Sequence, residues 1–458
     1  MRDTPAQRQI AVNATRPTLA LTLIVLLLAA LAMGADGGCV PVGSEDASGA
    51  TNFDPDGPDF VSEGVAALEH HDVQQAREHF AFASTQGNHP RHGEAVVGQV
   101  VTELMLMPEW SSTGGVISAL GGRPVDMQRD VYGPEGLLAL TAAHVEDRVV
   151  ENHLDAIMPW TGDDLSQPEL IFGRLQPGTS VNDVLDKLVI VAHDLVGLAD
   201  RLAEVSADPA FTAFTVRGDA FFARTTLRLT RPELMMLEAS LRATASMIFW
   251  VTAYDWNLDL HDDLSDAVPL DARVDRFNAV AFRALRPEAT ELLAQSRAQL
   301  LLAVDGVRRT IVDGPDNPHK GNLRWEALSD REVADLETTL AEVSAAMGPD
   351  GPVLLSNAAP EDATLDLRPL FAGRTLPAER NLVRHAVDEF GDGSWELDWD
   401  GVAALWIEGV LDPSCNPDPD LEDTCLSLFA DEVVSDRTFD AVADPFISSV
   451  ESDYNIAP

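Results

Sequence analysis

Apolar residues along most of this chain recur at intervals of three and four, the period of one helix face. Pro134 to Met158 carries Leu137, Leu138, Leu140, Ala143, Val145, Val149, Val150, Leu154 and Ile157 in a broad stripe. Ser180 to Val205 repeats the pattern with Val181, Val184, Leu185, Leu188, Ile190, Val191, Leu195, Leu198 and Leu202. Between Phe211 and Leu229 the period drops to two around Gly218-Asp219, which predicts short strands or a hairpin. Thr230-Arg-Pro232-Glu233 reads as a capping box opening a very apolar helix through Tyr254, with Leu234, Leu237, Leu241, Ala245, Ile248, Phe249 and Val251 as the central core. Arg273 to Val312 predicts two helical pieces divided at Pro287, and Ser329 to Glu332 caps another helix reaching Met347. The last third is mixed, with strands at Val353 to Leu355 and Thr364 to Leu367 and helices at Ala378 to Phe390 and Val402 to Val410. The predicted fold is mainly α, a helical hairpin continuing into an irregular helical array with a few short β-strands.

The clearest local pattern lies in residues 60–107. Phe60, Gly64, Ala76, Phe80 and Ala83 fall at offsets of 4, 12, 4 and 3, with Asp72 at the turn between two helices. Gly98 follows Gly64 by 34 residues. This stretch resembles a tetratricopeptide repeat, in which a small residue at Gly64 lets helices approach and Ala76, Phe80 and Ala83 form the packed seam. A second repeat starts within Arg91 to Met107, after a turn at Gly87, Asn88 and Pro90, but Pro108 and a turn at Ser111 to Gly115 interrupt its second helix. The resemblance implies a concave side of Phe60 to Met107 that holds a peptide or protein partner, with later helices completing the stack.

Ahead of this lies a leader. Arg2, Arg8 and Arg16 precede an apolar run from Leu19 to Met33, and small residues then lead to Cys39, the three regions of an export signal. Asp36-Gly37-Gly38-Cys39 resembles a bacterial lipobox, which implies diacylglyceryl attachment at Cys39, a lipid anchor and, with Val40 following, the outer membrane. The alternative is ordinary cleavage near Ala32 or Ala35, leaving Cys39 a free thiol. Ser44 to Asp59, rich in Gly, Asp, Ser and Pro, reads as a linker. The chain therefore divides into a signal peptide over 1–38, a flexible tether over 39–59, the tetratricopeptide-like hairpin over 60–110, a helical body over 111–350 with short strands near 211–229, and a mixed C-terminal region over 351–458.

Charge narrows the partners. The formal net charge is −44, and loss of residues 1–38, with three Arg and two Asp, takes it to −45. Such a surface repels nucleic acid and anionic headgroups, so no nucleic-acid partner is expected. Only Lys187 and Lys320 are lysines, a bias that fits genome composition or a saline habitat. Of three cysteines, Cys415 and Cys425 can close a short disulfide loop once Cys39 is used by lipid; the alternative is two free thiols.

Catalytic motifs are scarce. No phosphate-cradling glycine motif, H-E-x-x-H, G-x-S-x-G or zinc-spaced cysteine pair occurs, and no catalytic residues are assigned. Calcium is the one cofactor with candidate ligands. Asp412, Asn416, Asp418, Asp420 and Asp423 crowd the Cys-bounded loop, for which a solvated disulfide loop is the preferred reading over calcium. Asn52, Asp54, Asp56, Gly57 and Glu63 match a calcium-loop spacing, against which stand Pro55, Pro58 and Phe60; helix capping accounts for the same acids. Asp255, Asn257, Asp259, His261, Asp262, Asp263 and Asp266 form a third cluster, also readable as a solvated helix end. Adjacent His70 and His71 cannot both face one ion from a helix, and Trp395, Trp399 and Trp406 suit a core as well as a ligand cleft. The expectation is a membrane-anchored exported lipoprotein acting as a helical scaffold for a protein or peptide at the cell envelope; the alternative is a calcium-dependent surface ligand-binding protein or hydrolase.

Overall fold

A computed structural model describes residues 57–86, 89–120, 126–132, 178–217, 226–259, 284–315, 330–349, 353–354 and 364–373, with the single positions 262, 272, 276, 318 and 319. The leader with Cys39, most of the tether, the helix expected over Pro134 to Met158, most of the piece before Pro287 and everything after 373 lie outside them. The described chain is mainly helical.

Three helices open it: α1 (Phe60–Glu69), α2 (Val73–Ser84) and α3 (His92–Met105). The Asp59 carboxylate caps α1 by accepting from the Ser62 amide at 3.2 Å, and Asp72 caps α2 through the Gln75 amide at 3.0 Å. The turn between them requires His71 at φ 60°, the only non-glycine residue in the left-handed region among the described residues. Helix α2 packs against both α1 and α3.

A 3₁₀ turn at Met107–Glu109 leads to α4 (Ser111–Ala119). The turn expected at Ser111 to Gly115 is therefore corrected: these residues are helical. Poor helix formers are held there by tertiary contact, because Val116, Ile117 and Leu120 are buried and the Ser112 hydroxyl donates to Asp194 at 2.5 Å. Helix α4 packs chiefly on the next described helix, α5 (Val181–Ala207), rather than folding back on α3. Among the described helices the hairpin-on-hairpin progression stops at α3.

The body is built from α5, α6 (Arg231–Thr252) and α7 (Ala289–Asp313), with α6 in the middle. The capping box at its start is formed, the Thr230 amide donating to Glu233 Oε2 at 2.9 Å. Leu234, Leu237, Leu241, Ala245, Ile248, Phe249 and Val251 are all buried. Among the described residues α6 alone is long and apolar enough to cross a membrane, yet most of it is enclosed by protein, as the core helix of a folded body would be. Gly306 of α7 lets the two helices close in, since a Cβ there would stand 3.1 Å from that of Ala239.

Strands β1 (Phe214–Val216) and β2 (Leu227–Leu229) pair antiparallel, Phe214 opposite Leu229. Helix α8 (Asp330–Met347) lies on α7, and β3 (Val353–Leu354) pairs antiparallel with β4 (Thr364–Leu365). The chain then returns to the body, where the Trp250 indole donates to the Leu370 carbonyl at 3.0 Å.

Candidate functional site: the groove between α1 and α3

Phe80 organises the first three helices. Its buried ring projects from α2 between α1 and α3, where a Cβ on Gly64 would stand 2.8 Å from it and one on Gly98 only 2.5 Å. Side chains larger than hydrogen would drive the helices apart or displace the ring. Ala76 and Ala83, one turn to either side, are fully buried in the same seam. Phe60 instead lies partly buried at the outer end, edge-on to Phe82 with ring centroids 4.5 Å apart, and Phe82 is 44% exposed. The structure thus gathers Gly64, Ala76, Phe80, Ala83 and Gly98 into one seam and leaves Phe60 at its margin.

The side of α1 and α3 expected to be open for a partner is filled by the chain itself. Strand β1 packs on both helices. Phe214 is fully buried edge-on to Phe80, centroids 5.7 Å apart. Phe211 presses on α3 at Gly93, where a Cβ would stand 2.9 Å from its ring. Arg217 closes the row by pairing with Glu69 of α1 at 3.1 Å. An extended segment thus lies across two helices, held by two aromatic rings, buried Val216 and one cation. Sequence reading found the alternation in Phe211 to Val216 but not its seat; the phenylalanines three residues apart were the available signal.

The rim is braced by polar contacts. Arg91 joins Asp59 at 2.9 Å and Glu94 at 2.7 Å, tying the start of α1 to α3. Partial burial works against the Asp59 charge, but hydrogen bonds from Ser62 and Arg91 with the Arg91 charge prevail and hold its carboxyl below the ordinary range. At the far end a π-helical turn, Met127–Tyr132, clasps the α1–α2 corner. Gln128 accepts from the Val73 amide at 2.8 Å and donates to the His71 carbonyl at 2.7 Å. Glu109 accepts from the Met127 amide at 2.5 Å, and burial pushes its carboxyl up despite that bond.

Several of the other candidate ligands have structural partners. Glu63 pairs with His79 at 3.4 Å, and His70 Nδ1 lies 2.6 Å from the Ala66 carbonyl. Asp255 accepts from Asn182 at 2.6 Å, and Asp259 caps the turn at the Asp262 amide at 2.8 Å. Among the described residues no cluster of three acid, His or Cys side chains forms a metal site. His261, Asp263, Asp266, Cys415, Cys425, Asp412, Asn416, Asp418, Asp420 and Asp423, with Trp395, Trp399 and Trp406, lie outside the described residues.

No family model matches the chain, and no curated protein or solved structure matches it. The described residues form a mainly helical protein whose α1–α3 face is covered by the chain's own Phe211 to Arg217.

Proposed function

We propose that this protein is an exported lipoprotein, anchored through Cys39 and its tether at the cell envelope, that serves as a helical scaffold for a protein or peptide partner. The observation that supports this reading is the seating of Phe211 to Arg217: an extended segment is held on α1 and α3 by side-chain contacts, Phe211 at Gly93, Phe214 on Phe80 and Arg217 on Glu69. The first described helix follows directly on the segment read as a tether. The acidic exterior limits nonspecific association and favours partners with basic residues.

The test is made on the mature protein extracted from membranes, with a photo-crosslinking residue at Glu69 on the groove rim or at Phe82 on the outer face. A chain starting at Cys39 with bound lipid, a mass gain of two hydrogens on reduction of a Cys415–Cys425 bridge, and one discrete crosslinked partner are the expected results. A soluble, unlipidated chain with no adduct from either position would sink the reading.

A further inference from the structure

Resting on the scaffold reading, we infer that Phe211 to Arg217 is a built-in ligand of the α1–α3 groove, displaceable by a separate peptide of the same chemistry. That chemistry is an extended segment with two aromatic side chains three residues apart, an aliphatic residue two further on, and a cation next to it. Phe211 meets Gly93, Phe214 meets Phe80, Val216 is buried and Arg217 pairs with Glu69.

By burial the segment shares the core with the helices, since Phe214 covers the edge of the Phe80 ring wedged between Gly64 and Gly98. Two other features leave its place to side chains. Among the described residues no backbone hydrogen bond joins the segment to α1 or α3, and its ladder partner β2 pairs with only three residues. A two-stranded ribbon of that length is marginal by itself, so the segment's place depends on side chains that another peptide can supply. Charge favours a basic competitor, since Glu69 faces the cation within a chain of net charge −44.

Because the segment is covalently attached, it competes at an effective concentration in the millimolar range or above, and a free peptide binds the wild-type chain weakly. Removing the two rings in the double variant Phe211→Ser, Phe214→Ser removes that competition. A fluorescent peptide spanning Asp208 to Arg217 should bind this full-chain variant at least about tenfold tighter than wild type, and lose binding when its own phenylalanines become serine. A variant that keeps the wild-type helical circular dichroism yet binds the peptide no better refutes the inference.

Hydrogen exchange on the wild-type chain decides the matter even if the variant fails to fold. The amides of β1 should exchange through an opening that leaves α1 and α3 protected; exchange of all three in one global step would make the segment plain core and overturn the proposal. That outcome leaves a crosslinked envelope partner on Phe82 unaffected, so failure here is separable from failure of the scaffold reading.

Discussion

Phe80 leaves no room for a methyl group on either neighbouring glycine, and this makes Gly98 the most sensitive small residue in the first three helices. Alanine is the better helix former by about 1 kcal/mol, but forcing a Cβ into a packed ring costs about 1–3 kcal/mol. Phe80 cannot swing aside, being fully buried between two helices and Phe214. Gly98→Ala should therefore lower the melting temperature, whereas Gly197→Ala, on an exposed face of α5 where a Cβ meets nothing, should raise stability by about 0.5–1 kcal/mol. Denaturant midpoints of the two variants check both signs at once. Asp59 gives a pH dependence at the same scale. A carboxyl depressed in the folded chain contributes stability above its unfolded value of about 3.9 and loses it as pH falls through the lower folded value. Asp59→Asn should therefore lower the melting temperature near neutral pH, and the gap to wild type should close below about pH 4.

At the scale of the element, α6 is a core helix with a charged seam. Arg242, buried, donates to Glu238 at 2.9 Å, to Gln299 of α7 at 3.0 Å and to Asp200 of α5 at 2.8 Å, so one side chain ties all three helices of the body together. Arg309 of α7 lies 3.5 Å from the second Glu238 oxygen. Removing Arg242 leaves the buried Glu238 carboxylate with only the longer contact to Arg309, so Arg242→Leu should destabilise by about 3 kcal/mol. Glu238→Leu with Arg242→Leu together should cost less than Arg242→Leu alone, because burying an ion pair against desolvation gains little over apolar packing. A urea titration of the single and double variants measures the difference.

The same element shows what the sequence makes visible. Its start is readable because a capping box is local chemistry, and its core positions because burial follows the helical period. The Arg242 network joins residues 42 and 57 positions apart, which no local pattern encodes; only a Glu and an Arg four residues apart inside an apolar run hinted at it. Helix α4 fails for the complementary reason. Ser-Ser-Thr-Gly-Gly has the propensity of a turn, and it is the packing of Val116 and Ile117 with the Ser112 to Asp194 bond that makes it helical. The seam at Gly64, Phe80 and Gly98 was legible as spacing, whereas the occupant of the neighbouring groove comes from more than a hundred residues later.

Across the whole molecule, charge outweighs every single contact. A formal charge of −44 on 458 residues means that folding gathers like charges at close range, and that work falls as salt shortens the screening length from about 30 Å at 0.01 M to about 3 Å at 1 M. Exposed ion pairs lose strength over the same range, but each is worth at most about 1 kcal/mol, as at Arg129 with Asp130 and Arg308 with Glu337. Repulsion summed over an excess of acids outweighs the loss of such pairs. The Arg242 seam, being buried, is screened little. Sodium chloride raised from about 0.01 M to about 1 M should therefore raise the melting temperature. Potassium chloride at equal ionic strength should do the same to within a degree or so, since diffuse screening is blind to the identity of a monovalent cation. A rise that saturates at millimolar concentration of a divalent ion, beyond what its ionic strength explains, would instead reveal a specific site, because binding to the folded state stabilises by mass action.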